Sequence, residues 1–128
     1  MSRDLTKLSP FMQEKSKEFL AKCHEQGLSD VVIICTDRSD AEQQACFDAG
    51  NSHAKPGQSA HNAVDANCNP ASEAFDIGII ANGKYFGDHP DYAKAGLIGE
   101  SIGLVWAGRW VSMKEEAHLQ NPNWVKPK

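Results

Sequence analysis

The chain has 128 residues, 41% of them hydrophobic and 23% charged, with a formal net charge of -4 at pH 7. That is the size of one ordinary domain, expected to span 1–128, with enough apolar content for a core and too much for a disordered chain. The acidic balance leaves no basic stripe to follow phosphates, so nucleic acid is not an expected partner, and the longest apolar runs are far too short to cross a bilayer.

Met-Ser-Arg-Asp-Leu-Thr-Lys at the start lacks the apolar core of a signal peptide, which predicts synthesis and initial retention in the cytoplasm. Ser9-Pro10 then makes a good helix start, a capping hydroxyl followed by a residue tolerated in the first turn. Met12, Ser16, Phe19, Leu20 and Cys23 recur at helical spacing as one buried stripe, and Gly27 is placed to end the helix. Val31 to Cys35 is short, continuous and β-branched, as a buried strand is, and Arg38 follows its C-terminal end. Ser39 and Glu42 form a capping-box pattern, predicting a helix from Asp40 to about Ala49 that closes at Gly50.

Residues 51–73 are rich in Asn, Ala, Ser, Gly and Pro. So long a segment without large apolar side chains is functional or disordered, and His61 within it favours function for its first half. Ala74 to Ile80 reads as a strand. Asn82-Gly83 is the strongest hairpin signal in the chain, with Lys84-Tyr85-Phe86 returning. A helix is predicted between Asp88 and Gly103, with Pro90 in its first turn and Tyr92, Ala95, Ile98 and Ile102 facing inward. Leu104 to Trp110 reads as a wall or turn beside a pocket, in which Trp106 and Trp110 either line a cleft or fill the core. The tail from Asn121, with its two prolines, reads as an irregular strap. These elements predict an α+β fold, helices around a small antiparallel sheet.

None of the cysteines shows CxxC spacing. Cys23, Cys35 and Cys46 read as small hydrophobes in a reducing compartment, and Cys68 as a free thiol in a polar loop. Of the histidines, His24, His53 and His89 lack partners at ligand spacing and read as structural or exposed. His61 and His118 are different, because carboxylates accompany them. Two imidazoles and a carboxylate are what a catalytic zinc ion takes from a protein, with water completing its shell. A strand aspartate between Phe75 and Ile77 must find water, a partner or a metal. Glu115 and His118 stand three positions apart, so a turn between them is needed if they are to share a site. Glu116 is the rival acid.

The order of these pieces resembles a known family. Arg38-Ser39-x-x-Glu42-Gln43, Pro56-Gly57-x-Ser59-x-His61-Asn62, Ala74-Phe75-Asp76-Ile77, Trp106-Ala107-Gly108-Arg109-Trp110 and Glu115-x-x-His118 follow one another as in the D-alanyl-D-alanine carboxypeptidase and L-alanyl-D-glutamate endopeptidase superfamily of zinc peptidases. Arg3-Asp4-Leu5 leading into Leu8-Ser9-Pro10 looks most like its small single-domain bacteriophage endolysins, and the resemblance runs from about residue 3 to 120. It implies a hedgehog/DD-peptidase-like fold with zinc on the sheet face, held by His61, Asp76 and His118. It implies Glu115 as general base, Arg38 as the residue that orients substrate and steadies the oxyanion, and Ser59 and Gln43 as further substrate contacts. The substrate implied is bacterial peptidoglycan, cut between L-alanine and D-glutamate by a monomer without a membrane anchor. Such an enzyme waits in the host cytoplasm until the membrane is permeabilised.

Two departures stand out. The family joins its first two ligands in a compact Ser-x-His-x-x-Gly-x-Ala-x-Asp run, whereas here Asp65 to Ser72 reads as an insertion that makes Asp65 a rival ligand to Asp76. Glutamate also replaces the aspartate common at the base position in the phage subgroup. Two other readings are carried forward: a carboxypeptidase or dipeptidase of the same superfamily, and a catalytically silent zinc-binding domain.

Overall fold

The computed structural model describes residues 2–52, 54–112 and 114–126; the reading of His53 falls outside them. Helix α1 spans Pro10–Glu25, capped by the Ser9 hydroxyl, which accepts from the Met12 N–H. It ends in a Schellman turn: Gly27 sits at φ +83°, and the N–H groups of Gly27 and Leu28 reach the carbonyls of His24 and Cys23. Met12, Ser16, Phe19 and Cys23 are buried, as their spacing predicts. Strand β1 (Val31–Cys35) leads to helix α2 (Asp40–Asp48), whose capping box between Ser39 and Glu42 is complete in both directions.

Strand β2 (Ala74–Ala81) turns back into β3 (Lys84–Phe86) through Asn82 and Gly83, at φ 52° and 76°. Two successive positive φ values make the type I′ geometry that suits twisted strands. Helix α3 (Asp91–Ser101) starts three residues later than the sequence suggests, with Pro90 at the cap and the His89 ring accepting from the Asp91 N–H. Strands β4 (Val105–Trp106) and β5 (His118–Gln120) follow.

The named strands form one antiparallel sheet in the order β1-β2-β5-β4, with β3 also paired to β2. Helices α1 and α3 cover one face. Phe19 of α1 meets Phe75 of β2 at a ring separation of 5.4 Å, and Ile77, Ile79, Ile98 and Leu119 continue that core. Helix α3 lies close to the sheet because it presents glycines: a Cβ on Gly96 would stand 2.2 Å from the Trp106 ring, and one on Gly99 2.3 Å from Leu119. The α+β expectation, antiparallel sheet and hairpin included, matches the structure. Among the described residues no helix is long and apolar enough to cross a membrane.

Candidate metal centre

Side chains alternate along β2, so Phe75 and Ile77 enter the core while Asp76 points to the opposite face. Register then decides its neighbours. Cys35 of β1 pairs with Asp76 on one side, after a bulge that follows Ile33, and His118 of β5 pairs with it on the other. Asp76 is therefore the middle member of a row of chemically useful side chains across three strands.

His61 comes to this row from the loop above it. It lies in a short 3-10 turn, Ala60–Asn62, closed by its own capping box: the Ser59 hydroxyl accepts from the His61 N–H, and the Asn62 carboxamide accepts from the Ser59 N–H. The Asn62 amide also donates to the Arg38 carbonyl, while the Arg38 N–H donates to the His61 carbonyl. The turn and the segment that follows β1 are thus tied together by one side-chain and one backbone hydrogen bond.

The insertion does not hold His61 away from Asp76. Ala71 N–H bonds to the Ala63 carbonyl and Val64 bridges Pro70, so the loop is pinched off at its base. The Asp65 carboxylate accepts from the N–H groups of Asn67 and Asn69 within that loop. Between the rival acids it is Asp76, not Asp65, that stands between the imidazoles. Cys68 is exposed in this loop.

His61 Nε2 and His118 Nδ1 each lie 3.1 Å from the same oxygen, Asp76 Oδ1. Their outer nitrogens are taken up elsewhere. His61 Nδ1–H donates to the Thr36 carbonyl at 2.7 Å, and His118 Nε2–H donates to Gln120 Oε1 at 2.7 Å. These outer bonds leave both inner nitrogens facing Asp76 Oδ1, where a bound metal would take the place of the proton that each would otherwise donate to the carboxylate. A tetrahedral zinc ion with bonds of about 2.0 Å spaces its donors about 3.3 Å apart, and the distance from Asp76 Oδ1 to each imidazole fits that ion, while the two histidines themselves fall in two separate donor groups that share Asp76. The donor atoms of Asp76, Glu115 and His118 lie within 4.8 Å of one another, as do those of Cys35, His61 and Asp76.

The remaining residues support this cluster in different ways. Arg38 Nη2 donates to Asp76 Oδ2 at 2.9 Å, turning Oδ1 toward the imidazoles, and Arg38 Nη1 donates to Gln43 Oε1. Gln43 is fully buried, and its amide nitrogen donates to Ser52 and Ala54. Gln43 thus stands behind Arg38 and holds it, rather than facing the cleft as a substrate contact. Ser59 does border the cleft, but its hydroxyl serves the turn that carries His61. A turn brings Glu115 back to its histidine, the His118 N–H bonding to the Glu115 carbonyl, which places a carboxylate oxygen 3.8 Å from His118 Nδ1. The Glu116 side chain is exposed, and its carbonyl accepts from the Trp106 indole.

Charge is strongly coupled here. Burial opposes ionisation of Asp76, but the two imidazoles outweigh it and hold the carboxyl far below its ordinary range. Burial opposes a charged His118 as well, and Asp76 nevertheless raises its pKa. Burial, aided by the Asp76 charge, pushes the Cys35 thiol up to about 12, so it stays protonated at neutral pH. Its sulfur lies 3.9 Å from His61 Nδ1, a juxtaposition that the reading of Cys35 as a small hydrophobe did not include.

The two tryptophans part ways. Trp106 is a core residue packed on Gly96, whereas the Trp110 ring lies 5.7 Å from that of His118 at the cleft. The cleft has two hollows that share Arg38 and Glu115. The first encloses ≈ 140 Å³ and is bordered by Ser59, His61, Trp110, His118, Trp124 and Lys126; the second encloses ≈ 500 Å³ and is bordered by Asp76, Tyr85, Tyr92, Lys114 and Glu116. Trp124 and Lys126 belong to the tail, which offered no periodic signal in the sequence.

No protein-family model matches the chain, and no curated protein matches it in sequence. Among solved structures, the L-Ala D-Glu endopeptidase ChiX of Serratia marcescens is similar to it, with a TM-score of 0.67 over 91% of this chain and 82% of that one at 19% identity. At that identity the similarity shows the fold. The resemblance read from motif order is met at that level.

Proposed function

We propose that the chain is a zinc-dependent peptidoglycan peptidase of the phage-endolysin type, hydrolysing the L-alanyl-D-glutamate bond of the stem peptide. The observation that carries this reading is that His61 Nε2 and His118 Nδ1 each lie 3.1 Å from Asp76 Oδ1, with outer nitrogens already bonded, beside a half-exposed carboxylate. His61, Asp76 and His118 would hold the metal. Bound there, zinc supplies a water of lowered pKa and a Lewis acid for the scissile carbonyl.

The chain's own residues do the rest. Glu115, within reach of that position and exposed enough to meet solvent, accepts a proton from the attacking water and returns it to the leaving amine. Arg38 acts through Asp76: its planar fork spans Asp76 Oδ2 and Gln43 Oε1 and so fixes the carboxylate's orientation. Trp110 and Trp124 give the first hollow apolar walls that exclude water from one side of the reacting bond. Hollows on both sides of Glu115 suit a chain that continues in both directions, which favours an endopeptidase. Action on the wall would follow membrane permeabilisation. Binding as a monomer would leave recognition to the cleft itself.

A carboxypeptidase of the same fold is the second reading, favoured by Lys126 as a cation in the first hollow. Purified peptidoglycan digested with the zinc-loaded protein separates them. New D-glutamate amino ends by mass spectrometry are the expected result; free D-alanine alone establishes the carboxypeptidase, and no product leaves a silent binding domain.

A further inference from the structure

The two hollows differ in charge. Around the first, the described acidic residue is Glu115, faced by Arg38 and Lys126. Around the second, Asp76, Glu115 and Glu116 face Arg38 and Lys114. Arg38 is already engaged with Asp76 and Gln43, so its charge is largely offset on both sides. The cation left to meet a substrate anion in the first hollow is therefore Lys126, which has no ion pair among the described residues.

Lys126 is not on a loose end. Asn121, buried at the end of β5, donates from its backbone to the Glu73 carbonyl and from its side chain to the Glu73 carboxylate at 2.6 Å. Its own carboxamide accepts from the Asn123 N–H, and its carbonyl accepts from Trp124 N–H. This anchored turn sets Trp124 into the wall and carries Lys126 to the rim. A glutamate within a peptide uses one of its two carboxyls for the onward amide and leaves the other ionised beside the scissile bond. An acidic second hollow would repel that carboxylate, and a first hollow with a cationic rim would draw it in.

We infer that Lys126 is a specificity-determining residue: it pairs with the free carboxylate of the glutamate that follows the scissile bond, and so seats the leaving side of the substrate in the first hollow. This inference rests on the endopeptidase reading above. The test uses two synthetic stem peptides that differ at one group, the glutamate carboxylate being free in one and amidated in the other. The wild type is expected to favour the free acid by about fivefold in kcat/KM, the upper end for an exposed pair. The preference should lie in KM and fade at about 1 M salt, where screening falls to about 3 Å. K126R should retain it, and K126Q should bring the free acid down to the amidated peptide while its melting temperature stays unchanged.

Equal cleavage of both peptides by the wild type, or an unchanged preference in K126Q, overturns the assignment while the peptidase reading stands. Release of only the C-terminal residue, lost in K126Q, moves Lys126 to a terminal carboxylate and overturns it too. A zinc-loaded wild type that cleaves neither peptide removes the peptidase reading itself, and this inference with it.

Discussion

The two faces of strand β2 carry opposite kinds of constraint. On one, Phe75 and Ile77 are wholly buried against α1 and α3 and make no polar contact through their side chains. On the other, Asp76 has partners on each of its carboxylate oxygens. The first face places the strand; the second uses that placement. Core packing leaves Asp76 little freedom to move, and the metal ligation proposed for it needs that rigidity. Stability and chemistry should therefore separate between adjacent residues.

The sharpest way to break the comparison is Glu115→Ala, which removes the proposed proton carrier and nothing from the core. Peptidoglycan hydrolysis should fall by about 10²–10⁴-fold with bound zinc and melting temperature unchanged. Loss of zinc in this variant would make Glu115 a ligand instead of a base. Phe75→Ala is the converse, expected to lower stability by about 3–5 kcal/mol in denaturant unfolding. The fraction still folded should keep zinc and activity per molecule, and a weakened metal site in that fraction would mean the faces are not separable. Smaller again is Arg38→Lys, in which an ammonium replaces a fork that spans two acceptors. Chelator competition should show zinc held about 10–100-fold more weakly, the usual loss when a residue supporting a ligand is changed.

A pH series sharpens the same point with no substitution at all. In the metal-free protein the depressed Asp76 carboxyl contributes stability above its unfolded value of about 3.9, lost as pH falls through its native value. The raised His118 imidazole contributes fully below its unfolded value of about 6.5, and this is lost as pH rises through its native value. Metal-free stability should therefore peak between about pH 4 and 6.5 and decline above. Zinc requires deprotonated ligands, so the gain it gives should grow over the range where the metal-free protein weakens. Thermal melts with and without zinc should diverge as pH rises; parallel curves would contradict the coupling.

Much of this was legible in the sequence because it is local. The Ser39–Glu42 capping box, the Asn82-Gly83 turn and the helical stripe from Met12 to Cys23 each depend on neighbours a few positions away. The order of His61, Asp76 and His118 could be read as motifs, though their meeting on one oxygen depends on register. What was not legible depends on pairing between distant segments. Cys35 lies beside His61 only because β1 takes its bulge before meeting Asp76. Gln43 turns away from the cleft because Ser52 and Ala54, from a later loop, close over it. Trp106 and Trp110 differ in fate through their placement on β4 and on the turn after it, which composition cannot distinguish. Trp124 and Lys126 reach the cleft through Asn121, a single polar anchor with no periodic trace.

The pinched loop between Ala63 and Ala71 has a consequence for how this chain can change. Its ends are already joined by the Ala71-to-Ala63 bond and the Val64–Pro70 bridge, apart from the candidate donor residues. Added residues at its tip need not carry strain to His61 or Asp76, and doubling a flexible loop costs only about 0.6 kcal/mol in closure entropy. The stretch from 66 to 68 is thus a graft point, where a whole segment can be taken on while His61 and Asp76 stay in register.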